Sequence, residues 1–225
     1  MCEMVPLKFQ FLQLLIMFHF SYGAPRKLLL SVYYESNCPD SKSFILNQLQ
    51  PAYYLLHEYV KLKFIPFGKS RSISYGDEGF ECQHGSAECL GNMVQDCALD
   101  QLKKESDKKK LAYVACEMHS EAGSQGQFDC VEKSSLSSEQ VEQCVTSGQG
   151  TILQLESEYF TSLLNLTFVP TVTIDGEFNQ EIQDYAQVDL IGTLCSILTD
   201  SQPCAQYYNY LALNNLLNTQ TRNIH

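Results

Sequence analysis

Short apolar runs alternate with amphipathic segments along the chain, and the first such pair surrounds a cysteine. Residues 28–34 are apolar or β-favouring and predict a buried strand. From Phe44 to Tyr59 the apolar positions recur at helical spacing. Cys38 lies between the two segments and precedes Pro39, which suits the first turn of a helix because its missing N–H would have no partner there. The pattern therefore places Cys38 where a strand leads into a helix.

The same pattern continues along the chain. Residues 61–67 predict a second strand, and the order strand, helix, strand predicts a βαβ unit with parallel strands. Pro51 is expected to kink the intervening helix. Residues 168–174 begin a β-branched strand with a proline at its entrance, and residues 184–198 predict a closing helix. Between the second strand and residue 168 we expect helices over residues 88–118, from Ser137 or Ser138 to Cys144, and over 151–164. A lysine-rich connection at 103–110 should be solvated, and residues 69–79 and 123–127 should form loops.

The length and charge of the chain restrict its class. A chain of 225 residues can form one domain with a substantial core, and its formal net charge of -11 argues against nucleic acid or an anionic membrane surface as a partner. Residues 1–23 combine a weakly positive start, an apolar run and small residues at 21 and 23, and so predict a secretory signal peptide. No later segment is long and apolar enough to predict a transmembrane helix.

The cysteine count fits the secretory pathway. Of ten cysteines, Cys2 would leave with the signal peptide, and the remaining nine are an odd number. Cys38 is the simplest one to leave over, and an unpaired Cys38 would also allow a disulfide-linked dimer. The other eight can form four disulfides, whose pairing does not follow from spacing: Cys82, Cys89, Cys97, Cys116, Cys130, Cys144, Cys195 and Cys204.

Cys38 has two interpretations, reactive and structural. A helix N-terminus stabilises a thiolate, as a nucleophilic sulfur requires. However, a dithiol redox motif would have a second cysteine three positions later, where this chain has Ser41. Glu35 and Asp40 flank the sulfur, and their like charge disfavours a thiolate if they are close to it. The stretch alone leaves both interpretations open.

Residues 82–97 hold the most specific motif of the chain. Three cysteines and His84 suggest zinc, but their intervals of seven and eight differ from the short steps of common zinc sites, so we expect disulfides and no metal. The pattern C-Q-H-G-x-x-E-C-x-x-N-x-x-x-x-C resembles the signature of the gamma-interferon-inducible lysosomal thiol reductase (GILT) family at every specified position. These positions are Cys82, Gln83, His84, Gly85, Glu88, Cys89, Asn92 and Cys97.

The resemblance extends over nearly the whole mature chain. It implies an α/β, thioredoxin-like fold over residues 24–206, with a disulfide-stapled helical insertion at about residues 69–160 and a variable tail at 207–225. It also implies reduction of protein disulfides, typically in acidic endolysosomal compartments, so that we expect a secreted or lysosomal protein with disulfide-containing proteins as partners.

The family's active site carries over onto four positions. The resemblance makes Cys38 the nucleophile, Ser41 the position of a missing resolving cysteine, and Pro170 a cis-proline that faces Cys38. Val169 would pair with the substrate backbone. No cofactor is expected, because an external thiol such as glutathione or cysteine would act as the reductant and would resolve the mixed disulfide that Ser41 cannot attack.

Three further interpretations accompany this one. The fold can persist as a secreted GILT-like binding protein that is catalytically impaired, and such a protein would tolerate a buried or disulfide-bonded Cys38. A cysteine hydrolase that uses Cys38 and His84 is weakly indicated, because no third orienting group is evident; we expect His84 to be structural, and His57 and His119 to lie on helix surfaces. Asn165 begins the only N-glycosylation acceptor pattern, Asn-Leu-Thr.

Overall fold

The computed structural model describes residues 26–222, so the signal peptide expected at residues 1–23 lies outside the described residues. The strands are β1 (Leu28–Tyr34), β2 (Val60–Pro66), β3 (Arg71–Ser72), β4 (Phe80–Glu81) and β5 (Thr171–Ile174). The helices are α1 (Pro39–Phe44), α2 (Gln50–Leu56), α3 (Ser86–Gln101), α4 (Asp107–Ser120), α5 (Asp129–Lys133), α6 (Ser138–Thr146), α7 (Gly148–Ser162), α8 (Gln180–Val188), α9 (Leu190–Ile197) and α10 (Gln202–Arg222). The protein is a mixed α/β structure dominated by helices.

A three-stranded sheet organises the fold, with β1 at its centre. β2 pairs with β1 in parallel, which confirms the predicted βαβ unit, and β5 pairs with β1 on the other side in antiparallel orientation. β1 is buried from Leu30 to Tyr34 because both of its faces are covered, which explains its continuous apolar run. Its carboxyl end leads directly into the turn before Cys38.

The helix after β1 changes its pitch before Pro51. A π-helical turn, Ile45–Leu49, separates α1 from α2. Pro51 has no N–H to donate to the carbonyl of Asn47, and its ring crowds that carbonyl, so the wider turn accommodates it. Where the sequence predicted a kink at Pro51, the structure has a π-helical turn directly before Gln50 and Pro51.

Two of the predicted loops contain regular structure. The loop expected at residues 69–79 contains β3, which pairs in antiparallel orientation with β4 directly after it, and Arg71 forms an ion pair with Glu81. Each strand is only two residues long, so the Ser- and Gly-rich composition conceals it. The second predicted loop contains the 3₁₀ helix Gly123–Gln125.

Two helices of the inserted segment, α4 and α6, begin at serine side chains that cap them. Ser106 accepts a hydrogen bond from the N–H of Lys109 at 3.3 Å, and α4 begins one residue after this cap. The lysine run expected as a connection at 103–110 is therefore helical from Asp107 onward. Ser137, rather than Ser138, caps α6. Side-chain capping thus explains both boundaries.

One hydrophobic core joins the sheet to the inserted helices. Its buried side chains come from β1, α3, α4 and α6, and include Leu30, Val32, Val94, Leu111, Val114 and Val141. The hydroxyl of Tyr34 crosses this core and donates a hydrogen bond to Oε1 of Gln95 at 2.6 Å. The insertion is therefore packed as part of the domain.

The C-terminal part of the chain differs from the predicted single closing helix at residues 184–198. Asp189 adopts a non-helical backbone with φ -146° and ψ 81°, so the chain forms two helices, α8 and α9. The carboxylate of Asp189 caps α9 by accepting the N–H of Gly192 at 2.8 Å. The expected tail at 207–225 overlaps α10, which ends at Arg222. None of the helices within residues 26–222 combines the length and the apolar character needed to cross a membrane.

Candidate active site around Cys38

Cys38 lies at the N-terminus of the first helix, as the sequence predicts. Its backbone is extended, with φ -75° and ψ 122°, and its carbonyl accepts the N–H of Lys42 at 3.0 Å, so it is the N-cap residue of α1. Among the described residues it is the only free cysteine. The residue is 6% exposed. Cys38 is thus a free cysteine at the N-terminus of α1, but neighbouring residues cover it.

Ser41 lies on the buried side of α1. It is 0% exposed, and its hydroxyl accepts a hydrogen bond from the N–H of Glu35 at 3.4 Å. This contact ties the first turn of α1 to the end of β1. The hydroxyl therefore has a packing role at the position where a dithiol motif would carry its second sulfur.

The Val169–Pro170 peptide bond is cis, as expected. Asp40 and Phe44 of α1 line a groove of about 450 Å³ together with Val169 and Pro170. The other lining residues are Ser43, Phe168, Gln180, Gln183, Asp184 and Gln187. The fold therefore brings the helix that follows Cys38 and the proline segment to one groove.

Gln183 holds this proline segment in place, a role that the sequence analysis missed. Its amide nitrogen donates to the carbonyl of Pro170 at 2.9 Å, and its amide oxygen accepts the N–H of Val172 at 2.8 Å. Gln183 is 2% exposed. A buried polar residue on the inner face of an amphipathic helix was the available sign of this role.

The signature motif supports the turn between β1 and Cys38. Gly85 is the N-cap residue of α3 at φ 87°, a conformation that favours glycine. Asn92, on the buried face of α3, accepts the N–H of Ser36 at 2.8 Å, and the hydroxyl of Ser36 donates to the carbonyl of Glu88 at 3.0 Å. Gln83 is exposed. The motif therefore acts on the active-site turn through α3.

His84 and Glu88 form a polar cluster with Glu35. Nδ1 of His84 lies 2.5 Å from Oε2 of Glu88 and 3.5 Å from Oε2 of Glu35. Both glutamates are 0% exposed. Burial raises the pKa of Glu35, and the Glu88 carboxylate adds to the rise, whereas the N–H of Lys69 and the His84 ring oppose it. His84 and Glu88 are four residues apart and contact each other locally, whereas Glu35 lies beside them only because of the tertiary fold.

The eight remaining described cysteines form four disulfides. The pairs are Cys82–Cys89, Cys97–Cys144, Cys116–Cys130 and Cys195–Cys204. The sulfurs beside His84 are therefore bonded to each other, and a zinc site built from them is excluded. Among the described residues no hydrogen bond joins the side chains of Cys38 and His84, as a hydrolase pair would require, and Nδ1 of His84 bonds to Glu88.

The remaining candidate residues lie at the surface. Asn165 is exposed in the turn after α7. His119 is exposed on α4, as expected, whereas the exposed His57 lies in the turn directly after α2 and not on a helix. These residues are remote in sequence from the Cys38 turn, and none of them lines the groove beside Pro170.

Comparison with known proteins shows which family the chain belongs to. The sequence model described as "Gamma interferon inducible lysosomal thiol reductase (GILT)" matches residues 29–147. The chain is 35% identical to "GILT-like protein 1" of Drosophila melanogaster over 201 residues, which cover 80% of both chains. It is 30% identical to the "Gamma-interferon-inducible lysosomal thiol reductase" of Carassius auratus over 181 residues, or 78% of this chain and 70% of the relative.

Solved structures agree on the fold. DsbA from Mycobacterium tuberculosis, in its reduced form, aligns with a TM-score of 0.51 at 15% identity and covers 80% of this chain and 86% of its own. Oxidised BdbD from Bacillus subtilis aligns with a TM-score of 0.50 at 12% identity, over 74% and 85% of the two chains. The fold is thioredoxin-like, and the chain belongs to the gamma-interferon-inducible lysosomal thiol reductase family.

Proposed function

We propose that the protein is a monothiol thiol-disulfide oxidoreductase that attacks protein disulfides with Cys38 and depends on an external thiol for its resolution. The family and the thioredoxin-like fold support an oxidoreductase role. The monothiol mechanism rests on two residues at the start of α1, Cys38 and Ser41. Cys38 is free, whereas the third residue after it is the buried Ser41.

The first step is thiol-disulfide exchange. The Cys38 thiolate attacks one sulfur of the substrate disulfide, a new S–S bond forms between enzyme and substrate, and the second substrate sulfur leaves as a thiolate. The helix N-terminus at Cys38 supports this step, because its unpaired N–H groups and dipole stabilise negative charge on the sulfur.

The second step needs a thiol from outside the chain. A glutathione or cysteine thiolate attacks the sulfur of Cys38 and releases the substrate as a dithiol, and a second external thiol then frees Cys38 by forming an external disulfide. Two external thiols are oxidised for each substrate disulfide reduced, so no prosthetic cofactor is required. If another thiol of the substrate attacks the mixed disulfide on its substrate sulfur, the same chemistry gives isomerisation.

The groove between α1 and the proline segment is the proposed substrate site. Extended polypeptide can pair with the backbone at Val169 beside the cis-Pro170, so that its disulfide faces Cys38. Asp40 and Asp184 place two carboxyl groups on the walls of the groove. A disulfide flanked by basic or neutral residues is therefore preferred to one flanked by acidic residues.

A second candidate function is supported by the low exposure of Cys38. At 6% exposure the sulfur needs a local movement before a folded substrate can reach it. Together with the loss of a second cysteine at Ser41, this favours a GILT-like binding protein with impaired catalysis as the alternative. The two functions differ in whether Cys38 turns over.

Turnover of a denatured disulfide protein with and without glutathione separates the two functions. Wild-type protein should reduce the substrate only when glutathione is present, and Cys38→Ala should be inactive. Ser41→Cys should also reduce up to one equivalent of substrate without glutathione. Ser162→Cys is the control, because it adds an exposed cysteine at the end of α7, outside the proposed substrate groove. Wild-type turnover equal to that of Cys38→Ala would support the binding protein.

Location, modification and assembly follow from the same proposal. Relatives from Mus musculus and Carassius auratus are named lysosomal thiol reductases. We place this protein in the secretory pathway through residues 1–23, secreted or lysosomal, with a glycan on the exposed Asn165. Glycosidase treatment of wild type and Asn165→Gln tests the glycan. A dimer linked through Cys38 would be lost in Cys38→Ala on a non-reducing gel.

A further inference from the structure

Three potential metal-ligating side chains converge behind the active-site turn. They are Glu35 at the end of β1, His84 before α3, and Glu88 in the first turn of α3. One oxygen or nitrogen atom from each lies within 4.8 Å of the others. We refer to these three residues as the Glu-His-Glu cluster.

Glu35 has a buried oxygen that points into the cluster without a hydrogen bond. Its Oε1 accepts the N–H of Lys69 at 2.7 Å, whereas its Oε2 has no hydrogen-bond partner. The residue is 0% exposed, so water does not solvate the carboxylate from outside. A buried carboxylate oxygen without a partner is costly, and it needs a proton, a cation or a metal to offset that cost.

A backbone hydrogen bond and a neighbouring disulfide restrict the other two ligands. Oε1 of Glu88 accepts the N–H of His84 at 3.1 Å, which leaves its Oε2 to face Nδ1 of the same histidine. The Cys82–Cys89 disulfide brackets both residues, so its sulfurs do not act as thiolate ligands. Gly68 allows Glu35 to lie close to the backbone, because a Cβ atom there would overlap the glutamate side chain.

The atoms and their spacing suit a divalent transition metal. Imidazole nitrogen and carboxylate oxygen are common zinc ligands, and metal–ligand bonds of about 2.0–2.2 Å in a tetrahedron place ligand atoms about 3.3–3.6 Å apart. Nδ1 of His84 lies 3.5 Å from Oε2 of Glu35, which matches this spacing, and 2.5 Å from Oε2 of Glu88, a hydrogen-bond contact that must lengthen by about 1 Å when an ion enters. The side chain of His84 is 31% exposed, which gives an entering ion a route and leaves a fourth position for water.

We propose that Oε2 of Glu35, Nδ1 of His84 and Oε2 of Glu88 bind one divalent transition-metal ion of the zinc class. The site lies beside the Cys38 turn and uses no sulfur, so it is independent of the oxidoreductase chemistry proposed above. It amends the expectation of no metal, which considered only the cysteines and His84. Glu35 lies outside the Cys82–Cys89 motif, so the motif alone did not reveal it as a ligand.

Equilibrium dialysis of the mature, disulfide-intact protein against Zn²⁺ tests the proposal. Wild type should bind one equivalent of Zn²⁺, and His84→Ala and Glu35→Gln should each lose at least about tenfold in affinity. His57→Ala is the matched control, because it removes an exposed histidine from another surface and should bind as wild type does. Circular dichroism in the presence of a chelator establishes that each variant is folded.

Two further readouts test whether the ion has a sulfur ligand, and the second of them needs no variant. Binding should persist in Cys38→Ala, and the absorption spectrum of Co²⁺-substituted wild type should lack a thiolate-to-cobalt charge-transfer band. The proposal is overturned if wild type binds no Zn²⁺, if folded His84→Ala binds it as tightly as wild type, or if the cobalt spectrum shows a sulfur ligand. The first two outcomes would make the Glu-His-Glu cluster a purely hydrogen-bonded structure.

Discussion

Removal of the Cys97–Cys144 disulfide should destabilise the domain more than removal of Cys82–Cys89. The first bond joins α3 to α6 and closes a loop with a sequence separation of 47 residues. The second closes a loop with a separation of only 7 residues at the start of α3. A cross-link stabilises the folded state mainly by restricting the unfolded chain, and the restriction grows with the logarithm of the loop length.

The two separations give distinct magnitudes. The loop-closure relation assigns about 4 kcal/mol to a separation of 47 residues and about 2.4 kcal/mol to one of 7, a difference of about 1.7 kcal/mol. Cys97 and Cys144 are 1% and 4% exposed, so their replacement also removes buried sulfur from the core and widens the gap. The bond between Cys116 and Cys130, with a separation of 14, falls between them at about 3 kcal/mol.

Equilibrium unfolding in urea without reductant measures the difference. Each variant replaces both cysteines of one pair by alanine, so that no free thiol is created. The chain has no tryptophan, so far-UV circular dichroism follows the helices instead. The reasoning is refuted if the Cys97→Ala, Cys144→Ala variant loses no more free energy of unfolding than the Cys82→Ala, Cys89→Ala variant.

Three further predictions concern buried polar groups and backbone geometry. Burial raises the pKa of Asp96, so the folded chain holds the proton of this carboxyl more tightly than the unfolded chain, and the free energy of unfolding falls as pH rises above about 4. In urea unfolding at a series of pH values, Asp96→Asn should make this fall shallower, and an unchanged dependence of stability on pH would contradict the prediction. Gly68→Ala should lower the free energy of unfolding by at least about 2 kcal/mol, because a Cβ at φ +59° would be strained and would also overlap the Glu35 side chain. Gly79→Ala, at φ +83° with open space around it, should lower it by less, and equal losses would contradict the role of the overlap. Tyr34→Phe should cost about 1–3 kcal/mol, because it leaves a buried amide oxygen of α3 without its 2.6 Å hydrogen bond, and a loss near zero would exclude that role.

The local features of the site were accessible from the sequence. The apolar run of β1 and Pro39 in the next turn placed Cys38 at a helix N-terminus, because both are properties of neighbouring residues. The odd number of mature cysteines indicated a free thiol. Among the described residues Cys38 is indeed the free one.

The features that depend on distant residues were not accessible. The partner of Cys97 is 47 residues away, and Glu35 meets His84 only after β1 and α3 have packed together. The break at Asp189 was missed because the apolar spacing continues across it, and the capping carboxylate decides the boundary instead. Spacing arguments describe one element at a time, whereas these features arise between elements.

The most direct test of the monothiol account is the trapping of its intermediate. Wild-type protein, the Cys38→Ala variant and the Ser41→Cys variant are each mixed with a denatured protein that contains one disulfide, in the absence of glutathione, and analysed by intact mass spectrometry. The account predicts that wild type accumulates a mixed disulfide on Cys38, which glutathione then releases, and that Ser41→Cys resolves it without help. The account is contradicted if wild type forms no adduct, or if the adduct persists in Cys38→Ala.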